Sequence, residues 1–432
     1  METILYNKEN AEKLEDIIKR KRISLDDVIG SVRPIISQVR KNGDSVLFIL
    51  TRKLDKFNLS KENIRVSERE IREAYSRVNK RVINALEKAA ENIGKYHAEQ
   101  YDRIEKEWGI EINKGVLIKE KIVPIKNIGC YIPGGRASYP STVLMTCIPA
   151  KAAGVERVVI VSPPPISDVI LVAADICNVR EIYRVGGAQA IAALAYGTES
   201  IPRVDKIVGP GNKYVMAAKM LVYGQVDIDM PAGPSEILII ADDTAKPKFI
   251  AADILAQLEH DPNSYAILVT HSKKITSDVE NELQMQMEDL KDLRRKWLTD
   301  NLQNYITILT KDIEESIEFA NLYAPEHIEI MTENPENIVN EIRNAGAIFL
   351  GDFSPVAAGD YASGGNHVLP TGGTARFASE LSVRDFIRNM SIQNINNDGL
   401  RNLRDTVEII AETEGFIAHK KSIEKRFEYT KV

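Results

Sequence analysis

The sequence is poor in residues that mark several whole classes of protein. Its 432 residues include only three cysteines, Cys130, Cys147 and Cys177. Three thiols cannot all pair within one chain and none sits in a CxxC, so no disulfide framework is expected. A reducing, cytoplasmic compartment with the thiols as packing residues fits best. No run is long and apolar enough to span a bilayer. The first 22 residues have no apolar core for a secretory signal and carry too many acids for a transit peptide. A basic excess is also missing: 56 Lys and Arg stand against 62 Asp and Glu, a formal net charge of −6. That balance argues against a general nucleic-acid binder. There is no Walker A pattern, no complete GxGxxG, no short-period repeat and no low-complexity segment. Histidine is scarce, with six residues. Five of them (His260, His271, His327, His367 and His419) lie beyond residue 250, and His97 stands alone before it.

What is present reads as a chain of two or three domains with ordinary soluble composition, 44% hydrophobic and 27% charged. Residues 1–115 read as mostly helical. Ser67 with Glu70 three residues on has the form of a capping box, and Ile71, Ala74, Val78, Val82, Ile83 and Leu86 recur at helical spacing. From about residue 116, short strands alternate with helices. Strands are expected at 158–161, 181–185, 206–208, 236–241, 265–270, 305–310, 327–331 and 347–351. Helices are expected at 166–176, 188–195, 213–221, 249–258, 277–297, 313–322 and 335–343. Alternation of this kind implies parallel sheets with right-handed crossovers, and the number of units suits two sheets. Residues 380–432 read as helices again.

Three glycine turns are candidates for approach to a phosphate. Gly209, Pro210, Gly211 and Asn212 follow a strand and open a helix, where backbone N–H groups can meet a pyrophosphate. The third glycine is absent and Pro210 removes a donor. Gly186, Gly187 and Gln189 occupy the same position one unit earlier. Residues 132–135 form the third turn. Ordinary sheet-edge turns have the same pattern, so these outline a nucleotide crevice without specifying one.

The polar clusters say more. Gln257 and His260 are three apart at a helix end and share a face. Glu326 stands next to His327, a carboxylate and an imidazole that can divide two proton transfers, His as base and Glu activating water. The segment Gly359-Asp360-Tyr361-Ala362-Ser363-Gly364-Gly365-Asn366-His367 sets ionisable groups among glycines, where the backbone can approach a ligand closely. Glu414 and His419 add an acid and an imidazole near the end. Taken singly, the Gln257/His260 and Glu414/His419 pairs read as surface features. Gln257, His260, Asp360 and His419 together supply enough nitrogen and oxygen donors for one divalent transition metal such as zinc, although no compact zinc motif is present.

In order and spacing these segments resemble the histidinol dehydrogenase family. The resemblance is carried by residues 228–241 with Ser235, the continuation at 252–260 with Gln257 and His260, and 185–197 with Gln189. Pro325-Glu326-His327, residues 359–370, and Glu414 with His419 complete it. It runs from the Tyr131 region to the tail, and residues 1–115 carry no motif of it.

It implies an α/β fold of two incomplete Rossmann-like parallel-sheet domains with small helical N- and C-terminal domains. The boundaries would be a helical segment 1–24, a first sheet domain of 25–130 plus 237–380, a second of 131–236 on the NAD side, and a C-terminal domain 381–432. The implied activity is oxidation of L-histidinol to L-histidine through L-histidinal with two NAD, the last two steps of histidine biosynthesis. One zinc ion per subunit would be held by Gln257, His260, Asp360 and His419. Ser235, His327 and Glu414 would contact substrate, with the zinc ligands around it. Tyr131, Gln189 and Asn212 would border NAD. Glu326 and His327 would be the catalytic residues. The resemblance also implies a homodimer in which the C-terminal segment completes the partner's site.

Other readings remain open on the sequence alone. A zinc hydrolase using Glu326 needs no nucleotide. A non-catalytic metal- or metabolite-binding protein would leave the Glu326/His327 pair without a use. A related dehydrogenase acting on another amino alcohol or a sulfonated alcohol would share most of the motifs.

Overall fold

The Glu236–Ala241 strand is buried at all six positions. A strand apolar on both faces needs helices on both sides, as in a parallel α/β sheet. The computed structural model describes residues 1–19, 25–134, 138–230, 233–290 and 292–428. Gly135 of the third glycine turn, residues 20–24 of the N-terminal segment, and Pro231 and Ala232 of the 228–241 motif lie outside these. Among the described residues no helix is long and apolar enough to cross a membrane.

The first sheet has six parallel strands in the order Glu2–Leu5, Tyr305–Leu309, Tyr265–Thr270, Glu236–Ala241, His327–Met331 and Ala347–Leu350. Helices Pro247–Leu258 and Lys273–Glu288 pack on one face through Ile250, Ile254, Ile275 and Val279. Helix Ile313–Tyr323 covers the other through Ile317, Phe319 and Tyr323, which meet Ile328 and Ile330. Alternate residues of the His327–Met331 strand therefore face opposite layers. Ile328 and Ile330 belong to the second packing layer, and Met331 to the first.

The second sheet has five parallel strands in the order Glu181–Tyr183, Arg157–Val161, Asn127–Tyr131, Lys206–Val208 and Asp227–Ile228. Its helices include Gly187–Tyr196 and Lys213–Val222, and helix Asp26–Asn42 packs on the same layer through Val28, Val32 and Val39. Helix Asp26–Asn42 and the strand Asn127–Tyr131 therefore belong with the second sheet, on the far side of the expected division at residue 131. Both sheets fall in one compact unit, Met1–Tyr101 with Ile125–Phe386.

The second unit is Asp102–Pro124 with Ile387–Val432. It holds an antiparallel three-stranded sheet of Ile387–Ile395, Val116–Pro124 and Glu107–Asn113, followed by helices Asn397–Thr413 and Ile417–Glu428.

Every strand expected between 158 and 351 is present. The capping box also forms: Ser67 Oγ accepts from the Glu70 N–H, and the Glu70 carboxylate accepts from the Ser67 N–H. The helix expected at 277–297 is instead two, Lys273–Glu288 and Asp292–Asn301, and three further expectations need correction. The N-terminal segment opens with a strand, Glu2–Leu5, not a helix. The end of the segment read as helical contains the strand Glu107–Asn113. The tail read as helical begins with the strand Ile387–Ile395. Glu2–Leu5 is held extended by pairing with the distant strand Tyr305–Leu309. Glu107–Asn113 is exposed at every position, and Ile387–Ile395 is buried at none. Glu107–Asn113 alternates Trp108, Ile110 and Ile112 with Gly and polar residues, a strand pattern, and pairs as a hairpin with Val116–Pro124; Ile387–Ile395 has no such alternation, and pairing with the sequence-distant Val116–Pro124 strand decides its conformation.

Candidate active site

In the sheet the Glu236–Ala241 strand is flanked by Tyr265–Thr270 on one side and His327–Met331 on the other. At the amino ends of these strands the expected catalytic pair comes together with Glu236. The Glu236 N–H donates to Glu326 Oε2 at 2.8 Å, and the Glu326 N–H donates to Glu236 Oε1 at 3.2 Å. Glu236 also accepts from the Tyr323 hydroxyl at 3.1 Å and the Gly372 N–H at 3.2 Å. Ser235 hydrogen-bonds the Glu326 side chain. Two carboxylates and a serine are thus fixed in a buried frame.

The chain enters this frame through Ala324, which caps the preceding helix at φ 52°, in the left-handed region. That conformation costs a residue with a Cβ about 1–2 kcal/mol. Strain of this kind, held by surrounding structure, is found where function sets the backbone path. On the other side, a Cβ on Gly346 would lie 2.5 Å from the Glu326 carbonyl oxygen, so only glycine admits the approach.

His327 is buried, and its two nitrogens are unequal. Nδ1 lies 3.0 Å from the Glu236 carbonyl oxygen, which acts only as acceptor, so the proton sits on Nδ1. Nε2 then carries the lone pair. It is buried without a hydrogen-bond partner, 3.8 Å from Asp360 Oδ1. Burial holds the imidazole below its ordinary pKa, against the opposing pull of Asp360. Burial likewise pushes the Glu326 carboxyl well above the usual range, aided by the charges of Glu236 and Asp360.

Asp360 belongs to the short helix Val356–Tyr361. Its neighbour Gly359 would put a Cβ 2.7 Å from the Phe349 ring, so the missing side chain lets that helix close on the sheet. Asp360 Oδ2 lies 3.7 Å from His260 Nε2, and His260 Nδ1 lies 3.0 Å from the Ala256 carbonyl oxygen. Although burial raises the Asp360 carboxyl, its bond to His260 and the surrounding imidazoles bring it below the ordinary value. The same bond to Asp360 raises His260, which burial alone would lower. His367 backs the group, with Nδ1 2.8 Å from the Asp360 carbonyl oxygen and Nε2 3.4 Å from Thr142 Oγ1. Gln257 is one helical turn before His260, 2% exposed, with Nε2 buried and unpartnered.

Two donors each about 2.1 Å from one ion lie at most about 4.2 Å apart. The 3.7 Å between His260 Nε2 and Asp360 Oδ2 is within that span. The two atoms face each other, and Gln257, one helical turn before His260, carries an amide oxygen, the atom of that side chain able to bind a cation. These three residues fit a nitrogen- and oxygen-liganded divalent ion. Among the described residues no group of three or more His, Cys, Asp or Glu forms a metal cage. Gln257 is not of those types, and the fourth expected donor, His419, is in the second unit. There His419 is exposed on helix Ile417–Glu428, and Glu414 is exposed at the end of helix Asn397–Thr413.

The candidate nucleotide residues gather at the carboxyl ends of the second sheet. The Tyr131 hydroxyl accepts from the Gly187 N–H at 3.1 Å. Gly209, at φ 111°, lies so close to the Tyr131 carbonyl that a Cβ would sit 2.2 Å from it. Asn212 caps helix Lys213–Val222, accepting from Tyr214 and Val215. Gln189 is 1% exposed with Oε1 unpartnered. The Gly209 turn is held by Asp229, which accepts from its N–H at 2.6 Å and pairs with the buried Lys219 ammonium. Tyr131 touches both glycine turns at the point where strand order reverses, the usual place for a nucleotide on a parallel sheet.

Sequence reasoning missed Glu236, although it lies inside a quoted motif. Its only signal is a carboxylate at the start of an otherwise apolar strand. His367 also had no role; its place in the glycine-rich Asp360 loop was the available clue.

Comparison with known proteins matches this arrangement to one family. The histidinol dehydrogenase family model covers residues 18–427. The histidinol dehydrogenase of Methanothermobacter thermautotrophicus is 51% identical over 420 residues, 96% of this chain and 97% of that one.

The chain belongs to the histidinol dehydrogenase family.

A relative from Caldanaerobacter subterraneus is 49% identical over 95% of each chain. The crystal structure of histidinol dehydrogenase from Elizabethkingia anophelis superposes with a TM-score of 0.92 at 40% identity, over 100% of this chain and 99% of that chain. An NAD-dependent aldehyde dehydrogenase from Sinorhizobium meliloti, at 14% identity and TM-score 0.50, shares the fold alone. Membership makes the chain an oxidoreductase of histidine biosynthesis. The hydrolase and non-catalytic readings fall away.

Proposed function

We propose that the chain oxidises L-histidinol to L-histidine through L-histidinal, passing four electrons to two NAD, as a homodimer with one zinc ion per subunit. The observation that supports this most is the His327 imidazole. Its Nδ1 proton is committed to the Glu236 carbonyl, and its buried Nε2 faces the Asp360/His260 group with no partner. An imidazole so fixed is a base waiting for a hydroxyl proton.

Zinc, when bound by Gln257, His260, Asp360 and His419, supplies a Lewis-acidic anchor that orients the substrate's imidazole and amino group. Tyr131, Gln189 and Asn212 would border NAD, which would supply the hydride acceptor. In the alcohol step His327 Nε2 takes the hydroxyl proton as hydride leaves the same carbon. Glu326 then takes a proton from the water that adds to histidinal; a carboxylate whose pKa is raised by burial is the stronger base for it. As the water adds, His327 Nε2 returns its proton to the aldehyde oxygen, and in the aldehyde step the freed Nε2 accepts a proton from the hydrate as the second hydride leaves. Ser235 holds Glu326 and borders the substrate, with Glu414 at its far end. Retaining histidinal between steps keeps a reactive aldehyde from solvent.

His419 and Glu414 are assigned to the partner subunit's site. The first unit supplies three of the four zinc ligands, and the exposed His419 and Glu414 are free to enter a second chain. The three cysteines are buried and unpaired, which suits a reducing, cytoplasmic setting.

Two experiments test this. Glu326→Gln slows histidinal oxidation more than alcohol oxidation in single-turnover measurements; equal losses contradict the division of labour. Mixing inactive His260→Ala and His419→Ala chains regains activity, because a heterodimer places both defects in one site and leaves the other intact. No regain under verified subunit exchange contradicts the shared site.

A further inference from the structure

The zinc reading leaves a mechanical question. Gln257 and His260 are on one helix, Asp360 is on another, and the spacing between them has to be held. His327, Glu329 and Met331 share a face of their strand. That face looks toward helix Pro247–Leu258 and toward Val356 at the start of the helix carrying Asp360. Glu329 is 1% exposed. Its Oε1 accepts from the Val356 N–H at 2.9 Å, taking up one of the N–H groups that a helix start leaves unpaired. Its Oε2 is buried, and no N–H or hydroxyl donor reaches it. The group beside it is the Asp253 carboxyl, in hydrogen-bond contact with Glu329. Asp253 is four residues before Gln257 and on the same helical face.

Two carboxyl groups make such a bond only with one proton between them. A shared proton gives Glu329 Oε2 the partner it otherwise lacks. Burial acts in the same direction, pushing Asp253 up to about 6 and Glu329 well above its ordinary range.

We propose that Asp253 and Glu329, sharing a proton, form a buried brace that fixes the Gln257/His260 arm of the metal site against the Asp360 arm. Both are positioning residues. Neither touches substrate; the path runs from Gln257 and His260 through Asp253, Glu329 and the Val356 N–H to Asp360. The proposal rests on the assignment of Gln257, His260 and Asp360 to zinc.

The test is zinc affinity of the full-length protein, measured by competition with a colorimetric chelator, beside kcat and KM for histidinol. Glu329→Leu removes the acceptor for Val356 and the partner of Asp253. Val356→Pro removes the N–H while keeping an apolar side chain at the buried position, at a helix position where proline is tolerated. Each weakens zinc binding by about 10–100-fold, the usual loss when a group supporting a metal ligand is removed. Glu329→Gln keeps zinc affinity within about threefold of the parent, because its amide accepts from Val356 and donates to Asp253 as the protonated acid does. Where Glu329→Leu does not fold, Val356→Pro decides. Folded Glu329→Leu or Val356→Pro protein that holds zinc as tightly as the parent overturns the brace. Glu329→Gln as weak as Glu329→Leu overturns the shared proton. A parent protein that takes up no zinc overturns the metal assignment instead. The brace is then judged on kcat/KM: a tenfold loss in Glu329→Leu, restored in Glu329→Gln, supports it, and no loss overturns it.

Discussion

The two parallel sheets of this chain are built alike and used at opposite ends. In the second sheet the candidate nucleotide residues lie at the carboxyl ends of the strands, on glycine turns around Tyr131. In the first, Glu236, Glu326 and His327 lie at or beside the amino ends, where returning helices bring Gln257 and His260. Carboxyl-end turns offer backbone N–H groups from helix starts, which suit a phosphate. The amino-end site is made of side chains, with a carbonyl fixing the His327 tautomer, and suits proton transfer and a cation. On the function proposed above, the difference would separate the two jobs of a dehydrogenase: one sheet would receive the cofactor, and the other would hold the alcohol and its protons.

Breaking the amino end carries the largest effect. His327→Asn lowers kcat by about 10²–10⁴-fold, the range for losing a positioned base, with KM for NAD unchanged in steady-state assays. A matching rise in that KM would merge the two sites. His260→Ala abolishes stoichiometric zinc in metal analysis, whereas Tyr131→Phe leaves zinc in place. The pH profile sharpens the same division. Burial lowers the His327 pKa, so the neutral imidazole persists to lower pH than a free histidine would allow. The acid limb of kcat/KM for histidinol therefore falls below pH 6.5, and an acid limb above that value contradicts a buried neutral base. The smallest effect belongs to the carboxyl end. Tyr131→Phe removes the acceptor for the Gly187 N–H and raises KM for NAD by about 3–10-fold, the worth of one hydrogen bond, with kcat nearly kept.

The same contrast governs what the sequence makes legible. The carboxyl-end turns are local: a strand, two glycines and a helix start fall within a few residues, so Gly187, Gly209 and Asn212 stand out. The amino-end site joins residues 235–236, 257–260, 326–327 and 360, and spacing alone says nothing of their meeting. Family resemblance supplied Gln257, His260, Asp360 and His419 as a set. It did not single out Glu236, which orders the pair, or Glu329, which looks like one more charge in a strand until its burial is known. The strand Ile387–Ile395 escaped notice because a partner far away in the chain, not an apolar alternation, holds it extended, whereas Glu107–Asn113 did carry an alternation, Trp108, Ile110 and Ile112, that was overlooked beside the helix before it.

The central claim is that one site carries out both oxidations on a substrate held by zinc. The most direct measurement is the yield of NADH per L-histidinol, with and without a chelator. The account predicts two NADH per substrate, lost on chelation and restored by added zinc. A yield of one, or a yield of two untouched by chelation, would contradict it.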